Sequence, residues 1–400
     1  MKSTPKGMRL HIGLFGRRNV GKSSILNALT RQQVSIVSDI PGTTTDPVEK
    51  PMELLPLGPV LFIDTAGLDD VGILGKMRAE KTRLIFERTD LGIVVVQGDG
   101  WGEYEENILA ELSKRSAPAI IVFNKIDIAP PPSEIVQYLQ SRKLTVVETV
   151  APRGRGLNEL YKALIQTAPE DFLNAATILG DLINSGDLVV LVVPIDLEAP
   201  RGRLILPQVQ TIRDILDHNS YCLVVKENEL GNALSRLKDP PALVVTDSQA
   251  FSKVVQVVPA DIPLTSFSIL FARWKGDLKE FVRGAKAISK LQKGNRILVL
   301  EACTHHPISD DIGRVKIPRW IRQYAGVDLE FIHRQGHDFP QDLSTFHLVI
   351  HCGACMLNRR EVISRIMRCR EARVPITNYG VAIAYCLGIL DRALSPFREF

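Results

Sequence analysis

Two short clusters late in the chain carry soft ligands: Cys303-Thr304-His305, and then His351-Cys352-Gly353-Ala354-Cys355. Thiols with adjacent imidazoles at this spacing are the donor types of an iron–sulfur cluster or a zinc ion. Far upstream, Gly16-Arg17-Arg18-Asn19-Val20-Gly21-Lys22-Ser23 is a complete P-loop. Its glycines let backbone N–H groups approach phosphate. Lys22 reaches the β- and γ-phosphates, the Ser23 hydroxyl binds Mg²⁺, and Ser24 continues into the helix. A nucleotide switch and a metal-cluster site on one chain narrow function more than either does alone.

Three further elements turn the P-loop into a GTPase. Asp64-Thr65-Ala66-Gly67 follows an apolar run, with Asp64 near the metal and the Gly67 N–H free to meet the γ-phosphate. Asn124-Lys125-Ile126-Asp127 follows another, and the Asp127 carboxylate can accept two hydrogen bonds from a guanine edge, which adenine cannot supply. In the loop Pro41 to Asp46, Thr44 is the hydroxyl placed to complete the magnesium shell. In this order the motifs resemble the translation-factor-related GTPases of the tRNA-modification and ribosome-assembly type, which implies GTP/GDP and Mg²⁺ as ligands. Their serine–alanine guanine loop is replaced by Thr149-Val150-Ala151, where Ala151 still offers a backbone N–H. Leu68 stands where Ras-like enzymes carry a water-orienting glutamine, so intrinsic hydrolysis should be slow. Asn19 matches the P-loop asparagine that in related GTPases helps bind K⁺, so turnover should be potassium-stimulated; otherwise Asn19 is a turn residue.

The cysteine clusters allow two fillings. Three thiolates and one imidazole could close a structural zinc site. Cys303, Cys352 and Cys355 could instead hold a cubane, leaving its fourth iron to a weaker ligand. His305 and His351 are candidates for that fourth position or for hydrogen bonds behind a ligand. Glu301 is a further candidate, because residues two apart on a strand point the same way. His306, His333 and His337 have weaker claims as loop residues, and Cys222, Cys369 and Cys386 read as packed thiols.

The whole arrangement resembles the HydF family, the GTPase scaffold of FeFe-hydrogenase maturation. The resemblance covers the GTPase motifs, a middle α/β unit and both C-terminal clusters. It implies a 4Fe–4S cluster on Cys303, Cys352 and Cys355, and a dimerising middle domain, hence a homodimer. It also implies a di-iron precursor received from radical-SAM maturases and passed to apo FeFe-hydrogenase. An RNA- or ribosome-associated GTPase with a structural zinc is the alternative, and a cluster-bearing redox enzyme a third class.

The chain that must position these residues has 400 amino acids, 45% hydrophobic and 24% charged, which predicts more than one domain. A net charge of +4 without a Lys/Arg block gives no reason to expect nucleic acid. The N-terminal residues lack the apolar stretch of a signal peptide, and the longest apolar runs are too short to span a membrane. With six cysteines, this predicts a reducing cytoplasm. Apolar runs at 11–15, 60–63, 92–96 and 119–123 alternate with helical patterns, predicting an α/β fold: an N-terminal P-loop GTPase domain over 1–170. Two smaller α/β units follow: 171–262, scaffold or oligomerisation surface by default and the dimerising part by resemblance, and 263–400, the cluster-binding part. In the middle unit Val209, Ile212, Ile215 and Leu216 are predicted to share one helical face. In the last, both cysteine clusters follow predicted strands (296–300 and 347–350) and could share one rim.

Overall fold

Runs of β-branched residues with helical segments between them build parallel sheets buried on both faces. The computed structural model describes residues 4–30, 48–65, 82–173, 177–195, 204–302, 311–398 and 400. The chain divides into two compact units, residues 1–175 and 176–400.

In the first unit the described strands are β1 (Leu10–Phe15), β2 (Val48–Leu54), β3 (Gly58–Asp64), β4 (Leu91–Gln97), β5 (Ala119–Asn124) and β6 (Thr145–Thr149). They lie in the order β2-β3-β1-β4-β5-β6, parallel except for β2, which runs antiparallel to β3. The four predicted strands are present. β2 and β6 were not anticipated; Pro51 interrupts the pattern of β2, which a sheet edge tolerates. Both faces are covered, one by a core around Leu14, Ile25 and Leu160, the other by one around Phe15, Phe86 and Phe123. Phe15 and Phe86 stack with ring centroids 4.3 Å apart.

The second unit holds two four-stranded parallel sheets. One is β10-β9-β7-β8, from β7 (Leu188–Val192), β8 (Tyr221–Val225), β9 (Leu243–Thr246) and β10 (Leu264–Ser266). The other is β12-β11-β13-β14, from β11 (Arg296–Glu301), β12 (Glu330–Gln335), β13 (Leu348–His351) and β14 (Ile376–Asn378). A single apolar core runs from Val190 and Phe271 to Leu300, Val349 and Ile366, so the two sheets are built around shared packing. Just past Pro263, β10 pairs with β9 and completes the middle sheet. Helix Leu206–Asp217 buries Ile215 and Thr211, whereas Val209 and Leu216 are exposed, so the expected four-residue apolar face is divided. His333 lies on β12 and not in a loop. Among the described residues no helix is long and apolar enough to cross a membrane.

Candidate functional site

The P-loop joins β1 to helix Lys22–Thr30 through close backbone contacts. Gly16 has φ +140°, and a Cβ there would stand 2.2 Å from the Val95 carbonyl oxygen. Gly21 has φ +98°, and its Cβ would stand 2.2 Å from Asn124 Nδ2. Neither position admits a side chain. Asn19, at φ +60°, adopts the left-handed turn open to asparagine. Lys22 Nζ curls over the loop and donates to the Gly16 and Arg17 carbonyls at 2.7 Å each. Ser23 Oγ donates to Asp64 Oδ2 at 2.6 Å, so the two groups assigned to the magnesium side are adjacent. Ser24 is half-buried in the helix's first turn. Thr44, Gly67 and Leu68 lie outside the described residues.

Asn124 braces the guanine side. Its Nδ2 donates to the Val20 carbonyl at 3.0 Å, while its Oδ1 accepts from Thr149 Oγ1 at 3.1 Å and from the Ala151 N–H at 3.2 Å. Lys125 Nζ donates to the Asn19 carbonyl at 2.6 Å. Asp127 Oδ2 lies 3.6 Å from the Arg153 guanidinium. Sequence reasoning missed one support: Arg17 grips buried Glu105 through two bonds of 2.8 and 3.0 Å. The signal was there, since Glu105 follows Gly102 at capping-box spacing and accepts its N–H at 3.0 Å.

In the second unit β11 and β13 are neighbours, with Leu300 opposite His351, so their carboxyl ends form one rim. The Cys352 N–H donates to the Leu300 carbonyl at 2.9 Å. Cys352 Sγ accepts the Ala302 N–H at 3.0 Å and the Ala354 N–H at 3.5 Å. Ala302 immediately precedes Cys303 in sequence; Cys303, His305 and His306 themselves lie outside the described residues. Among the described residues no three of His, Cys, Asp and Glu gather as a metal-binding group.

Two buried cations hold the loop that carries Cys352 and Cys355. Lys275 Nζ donates to the carbonyls of Ala354 at 3.0 Å, Cys355 at 3.3 Å and Leu357 at 2.6 Å. Burial draws its ammonium down to about 8, with the Cys355 and Cys352 sulfurs opposing. Arg365, 1% exposed, donates to His351 Nε2 at 3.0 Å, the Gly336 carbonyl at 2.7 Å and Glu361 Oε1 at 2.7 Å. Because a guanidinium only donates and a carbonyl only accepts, His351 must be the neutral Nδ1–H tautomer. Its Nδ1 then donates to the Cys352 carbonyl at 2.9 Å. Burial, and after it Arg365, lowers the His351 pKa to about 3. Both ring nitrogens are therefore committed, and the imidazole reaches the loop through the Cys352 backbone. The Glu301 carboxylate, also buried, accepts from Gln335 at 3.0 Å and from Arg314 at 3.5 Å.

These donors fit a thiolate-held cluster: two thiols on one loop, backbone N–H groups aimed at sulfur, and a buried ammonium beside them. Burial first, then Cys355, pushes the Cys352 thiol up to about 11, and burial raises Cys355. A metal binding there must therefore displace protons. Lys275 and Arg365 were not read from the sequence. Arg365 is signalled only by its i,i+4 spacing from Glu361, and Lys275 only by ending an apolar helix. Cys369 is fully buried in the core.

Fold and site together define a P-loop GTPase domain followed by an α/β module bearing a cysteine loop. Residues 11–125 match the 50S ribosome-binding GTPase family, 178–276 the hydrogen maturase F dimerization domain, and 279–396 the hydrogen maturase F tetramerization domain. The chain belongs to the hydrogen maturase F (HydF) family. Its GTPase part is also similar to the tRNA modification GTPase MnmE of Heliobacterium modesticaldum, 36% identical over 160 residues, covering 38% of this chain and 32% of that protein. MnmE of a Synechococcus species is 38% identical over 165 residues, covering 39% and 33%. The chain thus spans about a third of the length of these curated relatives. Among solved structures, the G domain of the T. maritima FeoB iron transporter is 26% identical, with a TM-score of 0.32, covering 40% of this chain and 98% of that one.

Proposed function

We propose that this chain is a cytoplasmic GTP-hydrolysing scaffold that holds a 4Fe–4S cluster on Cys303, Cys352 and Cys355. It accepts a di-iron precursor from radical-SAM maturases and delivers it to apo FeFe-hydrogenase. The observation that carries this reading is the Cys352–Cys355 loop at the rim of β11 and β13, with Ala302, next to Cys303 in sequence, bonded to the Cys352 sulfur. When bound, such a cluster supplies an iron with an exchangeable coordination position. The chain's residues do the rest. The N–H groups of Ala302 and Ala354 orient Cys352, while His351 and Lys275 fix the backbone around the thiols. The matched dimerization and tetramerization domains support an oligomer, and we assign the homodimer to residues 178–276.

In the GTPase unit, Lys22 neutralises the β- and γ-phosphates, and Ser23, Thr44 and Asp64 serve Mg²⁺. The Gly67 N–H meets the γ-phosphate, and Asp127 reads guanine. The switch loops, ordered by the γ-phosphate and released on hydrolysis, alter how the cluster-bearing unit meets its partners.

Anaerobic reconstitution with iron and sulfide tests the scaffold. A brown protein with about four irons per chain is expected. A colourless, zinc-loaded protein would favour an RNA- or ribosome-associated GTPase with a structural zinc. Hydrolysis is intrinsically slow and K⁺-stimulated, with Asn19 helping to hold a cation where other GTPases use an arginine. Turnover is expected to be at least about tenfold faster in K⁺ than in Na⁺, a modest share of what an arginine finger gives. Asn19→Ala should remove that difference. Equal rates in the two salts would sink the potassium assignment and leave the scaffold reading intact.

A further inference from the structure

The cysteine loop is clamped from outside the family-matched stretch that contains it. Lys275 ends helix Phe267–Lys275, within the stretch matched as the dimerization domain, whereas the loop belongs to the stretch matched as the tetramerization domain. Its three contacts with the carbonyls of Ala354, Cys355 and Leu357 use every donor an ammonium has. The grip is reciprocal: Arg359, from the loop's side, donates to the Trp274 carbonyl at 2.8 Å and the Gly276 carbonyl at 3.3 Å.

Charge distinguishes Lys275 from the other cation at the loop. Arg365 is paired with Glu361 at 2.7 Å. Lys275 is 2% exposed, its three bonds end on backbone carbonyls, and among the described residues no carboxylate pairs with it, while the sulfurs of Cys355 and Cys352 act on its charge. A buried ammonium facing carbonyl dipoles and thiols is costly, and an anion beside it offsets that cost. An iron–sulfur cluster held by three thiolates is such an anion.

Resting on the cluster reading above, we propose that Lys275 is a positioning residue for the cluster loop and the counter-charge of the thiolate-held cluster, contributed by the neighbouring domain. Loss of a nearby positive charge makes adding an electron harder, so its removal must lower the cluster's reduction potential.

The test uses the full chain, reconstituted anaerobically as wild type, Lys275→Met and Lys275→Arg, with iron content and reduction potential read on each. In Lys275→Met the one-electron equilibrium should shift about tenfold toward the oxidised form, equivalent to about 59 mV more negative. Its iron content should also fall. Lys275→Arg, which keeps the charge, should stay near the wild-type potential. A wild-type potential in the loaded fraction of Lys275→Met overturns the proposal, even with a lower yield, because a purely structural lysine would change only the yield. If Lys275→Met does not fold, Lys275→Gln is read by the same criterion. A wild-type chain that takes up no iron–sulfur cluster removes the underlying reading and this proposal with it. A loaded wild type with an unshifted neutral variant removes this proposal alone.

Discussion

Cys352→Ala should emerge from anaerobic reconstitution with roughly a tenth of the wild-type iron or less, and without the brown colour. Loss of a group behind a metal ligand already costs about 10–100-fold in metal affinity, and loss of a ligand should cost at least as much. Cys352 is the best-oriented thiol of the described loop: its sulfur accepts two backbone N–H groups and its own N–H is tied to β11. Alanine removes the thiolate and leaves the backbone path in place, so the fold should survive. Cys222→Ala, changing a half-buried thiol on β8 away from the loop, is the control and should load normally. Wild-type iron in Cys352→Ala would exclude this loop from the site. Retained GTP hydrolysis would show that any loss is local.

Lys22→Ala should lower GTP hydrolysis by about 100-fold or more, the scale seen when one preorganised charge-stabilising donor is removed from an active site. Lys22 now satisfies the carbonyls of Gly16 and Arg17; with phosphate bound it must turn from them toward the β- and γ-oxygens. The glycines and the Asn124 brace that shape the P-loop do not depend on it. The variant should therefore remain folded by circular dichroism and take up iron as the wild type does. Cargo delivery to apo-hydrogenase separates two roles for the nucleotide. Delivery that slows with hydrolysis places GTP in the transfer step, while unchanged delivery by Lys22→Ala would remove it from that step.

The parts legible in sequence were those set by local chemistry. A strand buried on both faces announces itself as an apolar run, and the P-loop, Asp64 and Asn124–Asp127 each follow one. The elements missed were those defined by partners. β2 is a strand because β3 offers it an edge, despite Pro51, and β14 is three residues long and owes its place to β13. The divided face of helix Leu206–Asp217 is similar: its spacing puts Val209, Ile212, Ile215 and Leu216 on one face, but the fold buries Thr211 beside Ile215 and leaves Val209 and Leu216 exposed.

The cysteine site followed the same division. The thiols and imidazoles and their positions after strands could be read directly, but the groups that hold the loop come from far away in sequence. Lys275 precedes the loop by three strands, and its charge looks like an ordinary helix C-terminal lysine until it is found buried. His351 was open between ligand and support. Arg365 supports the second reading, because its guanidinium lies 3.0 Å from the imidazole Nε2.

Protein groups fasten the Cys352–Leu357 loop: an ammonium on three carbonyls, an imidazole on a fourth, and Asn358 accepting the Glu361 N–H at 3.2 Å to start the next helix. Small zinc domains are knots that the metal itself ties, and they come apart when it leaves. The contacts of Lys275 and His351 would instead make this loop a socket shaped in advance by its walls. Under the proposed cluster reading, emptying it should cost the protein little of its shape, and a second filling should find the same geometry as the first. Such a property would suit the proposed carrier, a vessel used repeatedly rather than a part consumed in one delivery.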